Sequence, residues 1–159
     1  MGVLRGPVLA LLCGVLCLVF GQGQLNLLVS MRVDQAGAPP WMTGAMTSAY
    51  YAGLVLGALL SPRLVMRVGH VRAFAVATLM LTCVSLTHAW WSPLWAWALL
   101  RVLSGFGFAA LLLVIESWLN ASARPGARGA LMAVNMVVFY LAMGGGQFVL
   151  GWTGVEGQA

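Results

Sequence analysis

RVLSGFGFAALLLVIESWLN occupies positions 101–120, and the reading of its two charges decides the fold. Arg101 opens a run of apolar and small residues, and Glu116 stands near its close. In a soluble domain this would be a core helix with solvated ends. The rest of the chain excludes that reading. Of 159 residues, 62% are hydrophobic and only 7% charged, whereas soluble domains carry about 25% charged residues. Mean hydropathy is +0.96. So few polar side chains cannot cover a water-exposed surface. The chain therefore reads as an all-α integral membrane helical bundle, counted in spans of about 20 apolar residues.

Apolar runs fall at about 7–31, 41–65, 73–91, 94–119 and 130–152, giving a single partial transmembrane domain over 1–159. Between them lie RVDQAGAPP, the short basic gap MRVGHVR, the aromatic turn WWSPLW, and NASARPGARG. The start of the first run also fits a signal peptide, with FGQGQ as its cleavage region. Apolar character resumes at LNLLVSM, however, and the total length suits a retained helix.

The formal charge of +5 comes from eight arginines against Asp34, Glu116 and Glu156. In a soluble chain that balance would suggest nucleic acid. Here the arginines sit in short gaps between spans, so they read as topology signals, with no nucleic-acid partner. Arg5, Arg63, Arg67, Arg72, Arg124 and Arg128 fall on one side, and Arg32, beside Asp34, on the other. The positive-inside rule makes the first side cytoplasmic. The N-terminus is then cytoplasmic and the C-terminus external. Trp41, Trp90, Trp91 and Trp95 all reach the outer interface, as an aromatic belt does. Asn120 begins an Asn-Ala-Ser acceptor triplet, but this topology leaves it in the cytosol. Cys13, Cys17 and Cys83 lie inside apolar runs and read as inert thiols.

Fifteen residues at 1.5 Å rise separate Arg101 from Glu116 by roughly 22 Å, so they cannot pair. At 100° per residue they point about 60° apart, toward one side of the helix. Gly105, Ala109 and Leu112 lie between them on that side. Gly105 and Ala109 form a small-xxx-small pair that admits a neighbouring helix closely. Glu116 has two candidate partners in the cytoplasmic gaps, Arg72 and Arg128, and the set is either a static clamp or a gate latch. Arg101 has no evident partner. It either snorkels to the outer interface or acts in function, as intramembrane arginines do.

Other polar positions are sparse. Gln22 and Asn26 share a face of the first helix and either bond a neighbouring helix or border a wet path. Tyr50 forms a stripe with Gly53 and Gly57, whose role reads as packing. Tyr140, Gly144 and Gln147 form another stripe, fit for interhelical bonding or for substrate. His88 reads as an interfacial residue beside the outer tryptophans, with a proton relay as the alternative. No phosphate loop, metal-ligand cluster or nucleophile–base set is present, so neither an enzyme nor a cofactor or metal site is implied.

Several motifs resemble those of the major facilitator superfamily. GALLSPRLVMRVGHVR (57–72) lies where that superfamily has its glycine-and-arginine loop motif. Arg67, Gly69 and Arg72 match it, while Met66 stands where an aspartate is usual. LLRVLSGFGFAA (99–110) is similar to the fourth-helix motif of proton-coupled antiporters: Arg101, Gly105 and Gly107 match, and Ser104 replaces a common glutamine. SAYYAG (48–53), ESWLN (116–120), Arg128–Gly129 and Gly146–Gln147 together resemble the YcaD-like subfamily of bacterial transporters.

The resemblance implies the N-terminal part of a secondary transporter. Such proteins have twelve helices in two halves, with the substrate site between the halves. It implies a bacterial inner membrane location and transport of a small solute by alternating access, with proton coupling as an option. The carboxylate that a proton cycle would need is not evident inside the spans. The implied cavity candidates are Arg101, Gln22, Asn26, Tyr50, Tyr140 and Gln147. Arg67, Gly69, Arg72, Glu116 and Arg128 form the implied cytoplasmic gate and loop motif, with Glu116 taking the charge role that Met66 leaves vacant. The implied partners are the lipid bilayer, a small-molecule substrate of the full-length protein, and the missing C-terminal half. On this reading the chain is a truncated frame or a partial sequence that would not transport alone. The alternative is a small five-helix membrane scaffold or assembly protein.

Overall fold

A computed structural model describes residues 6–90, 93–123 and 126–153. These residues form α1 (Gly6–Gln35), α2 (Pro40–Val68), α3 (His70–Trp90), α4 (Leu94–Ser122) and α5 (Arg128–Thr153). Each is long and apolar enough to cross a membrane. The 29 residues of α2 or α4 rise about 43 Å, against a hydrocarbon core of about 30 Å. The helices therefore continue past the apolar runs into the interfacial region. Arg5, Trp91, Arg124 and Glu156, used above for topology, lie outside the described residues.

The breaks between helices are short and have local causes. Pro39 precedes α2 with extended backbone, and Pro40 occupies its first turn, where a missing N–H costs nothing. The basic gap MRVGHVR is not a loop. Its first residues finish α2, its last residues begin α3, and Gly69 alone separates them. Gly69 takes φ 84° and donates its N–H to the Val65 carbonyl at 2.9 Å. A side chain at that φ is strained, so glycine is what permits so abrupt a stop. Several hydroxyls within the spans bond backward along their own helices. Thr82 donates to the Thr78 carbonyl, Ser85 to Leu81 and Thr87 to Cys83, which satisfies them where no water is available.

The chain divides into two compact units. One comprises α1 as far as Arg32 together with the chain from Ser117 onward. Within it α1 and α5 touch at backbone level. A Cβ on Gly23 would lie 2.5 Å from the Met143 carbonyl oxygen, and one on Gly146 would strike that of Phe20. The buried stripe of α5 is Leu131, Asn135, Ala142 and Gly146.

The second unit runs from Val33 to Glu116 and holds α2, α3 and most of α4. The buried face of α2 is Met46, Tyr50, Gly53, Gly57, Ser61 and Val65; that of α3 is Ala73, Ala77, Leu81, Val84 and His88. Both follow the helical three-to-four spacing. α4 packs closely on α2. A Cβ on Gly53 would strike the Val102 carbonyl, one on Gly105 the Tyr50 carbonyl, and one on Gly57 would lie 2.6 Å from that of Phe106. No flexible side chain stands in these contacts to yield, so glycine sets the interaxial distance. On the α3 side, Gly107 leaves room for Met80 and Leu81.

Candidate functional site

The α2–α4 seam brings Arg101 into the core of the second unit. Arg101 is 4% exposed, and its guanidinium carbon lies 4.4 Å from the centroid of the Tyr50 ring, which is itself buried. A cation over an aromatic face gains from the ring quadrupole, most of all when water is excluded. The close approach at Gly53 and Gly105 makes this geometry possible, since Tyr50 and Arg101 lie one helical turn away from these glycines on their own helices. Arg101 is therefore not snorkelling to a surface. Ser104, next to it along α4, is fully buried as well.

His88 joins the same neighbourhood. The sequence reading placed it among the interfacial tryptophans, but the structure buries it to 5% exposure, while Trp90 is 93% exposed. Its ring lies 5.8 Å from that of Trp97, centroid to centroid, at 47°. Trp97 is buried, and it stands one turn before Arg101 on the same face of α4. The signal that could have found His88 is the stripe Ala73, Ala77, Leu81, Val84, which reaches His88 at the next helical step.

Glu116 closes the other end of the α4 face. It is half-buried at the rim of an apolar groove of ≈ 420 Å³ that also involves Leu54, Val55, Ala58, Ala109, Leu112 and Leu113. Arg67, Gly69 and Arg72, in the same unit, are exposed at the α2–α3 break. Among the described residues no ion pair joins Glu116 to Arg72. Arg128 begins α5 in the other unit and is exposed.

In that unit, Gln22 is buried and Asn26 half-buried on α1, and both make polar contacts. Tyr140 and Gln147 do not share the buried stripe of α5. Tyr140 is 70% exposed, with its ring against Phe139, and Gln147 is also exposed. Within the described residues α5 buries Ala142 and Gly146 instead, which give it a smaller and smoother face. Gly53, Gly57, Gly105 and Ala109 are all buried in the α2–α4 seam.

Comparison with known proteins agrees with this architecture. The sequence model of the Major Facilitator Superfamily matches residues 11–157. The chain is 33% identical over 150 residues to the MFS-type transporter YcaD of Salmonella typhi, covering 94% of this chain and 39% of the relative. It is 34% identical over 144 residues to the MFS-type transporter Ent638_1421 of Enterobacter sp. (strain 638), covering 91% of this chain and 38% of the relative. The chain thus spans about two fifths of the length of the curated relatives it matches. No solved structure shows significant similarity to it. With five membrane-length helices, the superfamily's sequence pattern along nearly the whole chain, and a buried arginine in the fourth helix, this multi-pass membrane protein belongs to the Major Facilitator Superfamily.

Proposed function

We propose that this chain works as the first five helices of a secondary transporter in a bacterial inner membrane, moving a small solute by alternating access. The observation that carries this reading is Arg101, a permanent cation buried inside a span and held over Tyr50. A cation at that depth is costly, and intramembrane charges mark substrate and ion pathways. Arg101 binds an anionic part of the solute or sets the ionisation of a proton-carrying group nearby. The positive-inside rule orients the bundle with the Arg67 and Arg72 end in the cytoplasm. This puts Arg101 in the outer half and Glu116 at the inner end.

Glu116 serves in this scheme as a cytoplasmic latch, closing on Arg72 and Arg128 in one state of the cycle. Its half-buried position beside the groove supports this role, since the carboxylate is neither sealed in the core nor fully solvated. The test is a solute-uptake and drug-susceptibility screen on the full-length gene, with Arg101→Ala and Glu116→Gln beside wild type. Arg101→Ala is expected to abolish transport at unchanged membrane abundance, and unchanged transport would remove Arg101 from the mechanism. Glu116→Gln is expected to alter the balance of inward-open and outward-open states, read by alkylation of cysteines placed at either end.

A further inference from the structure

We propose that the groove beside Glu116, between α2 and α4, binds a small amphipathic cation: an apolar body carrying a protonated amine that Glu116 receives. The groove holds ≈ 420 Å³ and lies within the second unit. Apart from Glu116, every described lining residue is leucine, valine or alanine. Sites for small molecules have this make-up, with mostly apolar walls and a few polar groups that fix orientation. The walls bury an apolar body, and the carboxylate selects the charge of its head. No basic side chain is among the described lining residues, so the groove itself offers Glu116 no counter-charge. A carboxylate against such walls is costly, and a cation with N–H donors offsets that cost.

The α2 wall adds a second acceptor. Pro62 stands inside α2. It has no N–H, so the Ala58 carbonyl loses the donor that a helix supplies four residues on. Ala58 lines the groove. One charged and one neutral acceptor, with no donor among the described lining side chains, select a donor-rich cation and reject an anion.

Dimensions choose among such cations. From Ala109 to Glu116, α4 rises about 10 Å. A compact alkyl or aryl amine matches that length. A lipid tail crosses half the hydrocarbon core, about 15 Å, and overruns it. Arg101 lies roughly 22 Å from Glu116 along α4 and takes no part in this binding. The inference rests on the transporter reading for its purpose, where it names the class of the solute. An ammonium on Glu116 occupies the carboxylate that the proposed latch needs, so binding holds that latch open.

The chain is reconstituted in phosphatidylcholine nanodiscs, whose lipid has no N–H donor. Radiolabelled 4-phenylbutylamine, charged at neutral pH as a lysine amine is, is titrated by equilibrium dialysis with empty nanodiscs as the blank. Saturable binding above the blank is expected. Glu116→Gln is expected to weaken it about tenfold or more. The uncharged 4-phenylbutanol, with the same body, is expected to bind both proteins equally weakly. Ala58→Leu fills the groove from an exposed position and is expected to remove binding of either compound at an unchanged size-exclusion profile. No saturable binding by wild type, undiminished affinity in Glu116→Gln or in Ala58→Leu, or equal affinity of wild type for amine and alcohol would each overturn the proposal. Loss of amine binding when an ethanolamine lipid replaces the choline lipid would assign the groove to a lipid headgroup and overturn it as well. No arm measures transport, so the transporter reading stands or falls separately, on Arg101→Ala in the full-length protein.

Discussion

The two ends of α4 carry opposite charges and are built in opposite ways. At the Arg101 end, glycines bring α2 and α4 to backbone contact, and the cation is buried over the Tyr50 ring. At the Glu116 end the helices leave an apolar groove, and the carboxylate stands half-buried at its rim. One helix face thus supports a fixed charge and an available one. The difference arises from side-chain size. Gly53, Gly57 and Gly105 leave nothing between the two backbones, whereas the groove beside Glu116 is walled by the larger Leu54, Val55, Leu112 and Leu113.

The most severe way to break this contrast is to open the tight end. Gly105→Leu places a branched side chain against the Tyr50 carbonyl and is expected to cost about 1–3 kcal/mol or more. Thermal unfolding in detergent, with size-exclusion profiles, would read this. A wild-type profile would mean that the seam can part without loss.

At the other end only the helix break depends on backbone geometry. Gly69→Ala forces a side chain into positive φ and is expected to cost about 1–2 kcal/mol. The same unfolding measurement checks it, with Gly129→Ala as control, because Gly129 has open space around it. Tyr50→Leu removes the ring under Arg101 while keeping an apolar side chain, and a loss of about 0.5–2 kcal/mol is expected. Combining it with Arg101→Met in a double-mutant cycle isolates the pair, and additive losses would show that the ring contributes nothing specific to the cation. The smallest effect is expected from Glu116→Gln, within about 0.5 kcal/mol of wild type. A larger loss would mean that Glu116 is a static clamp, and the contrast between the ends would lapse.

Much of this fold is legible in the sequence because the membrane imposes simple rules. Span length, scarce charge and arginine-rich gaps follow from the thickness and dryness of the bilayer, and they need no partner to be read. The helical repeat likewise puts Gly105 and Ala109 on the face that Arg101 shares with Glu116. His88 escaped because its surroundings in the sequence, a run of tryptophans, resemble an interface. Only the packing of α3 on α4 turns its ring inward onto Trp97. The exposure of Tyr140 and Gln147 was not legible in the sequence either. Their spacing made a polar stripe, but which face of α5 is buried depends on where α1 offers Phe20 and Gly23.

The sequence by itself determined the class of this protein, the number of its described helices and the positions of its breaks. Those properties are set residue by residue, through hydropathy, proline and the backbone freedom of Gly69. Tertiary structure alone decided what the two charges of α4 do. Arg101 gains its place over Tyr50, and His88 its burial against Trp97, from helices far apart in the chain meeting at contact distance. A charge's environment is a property of that meeting and not of its neighbours in sequence.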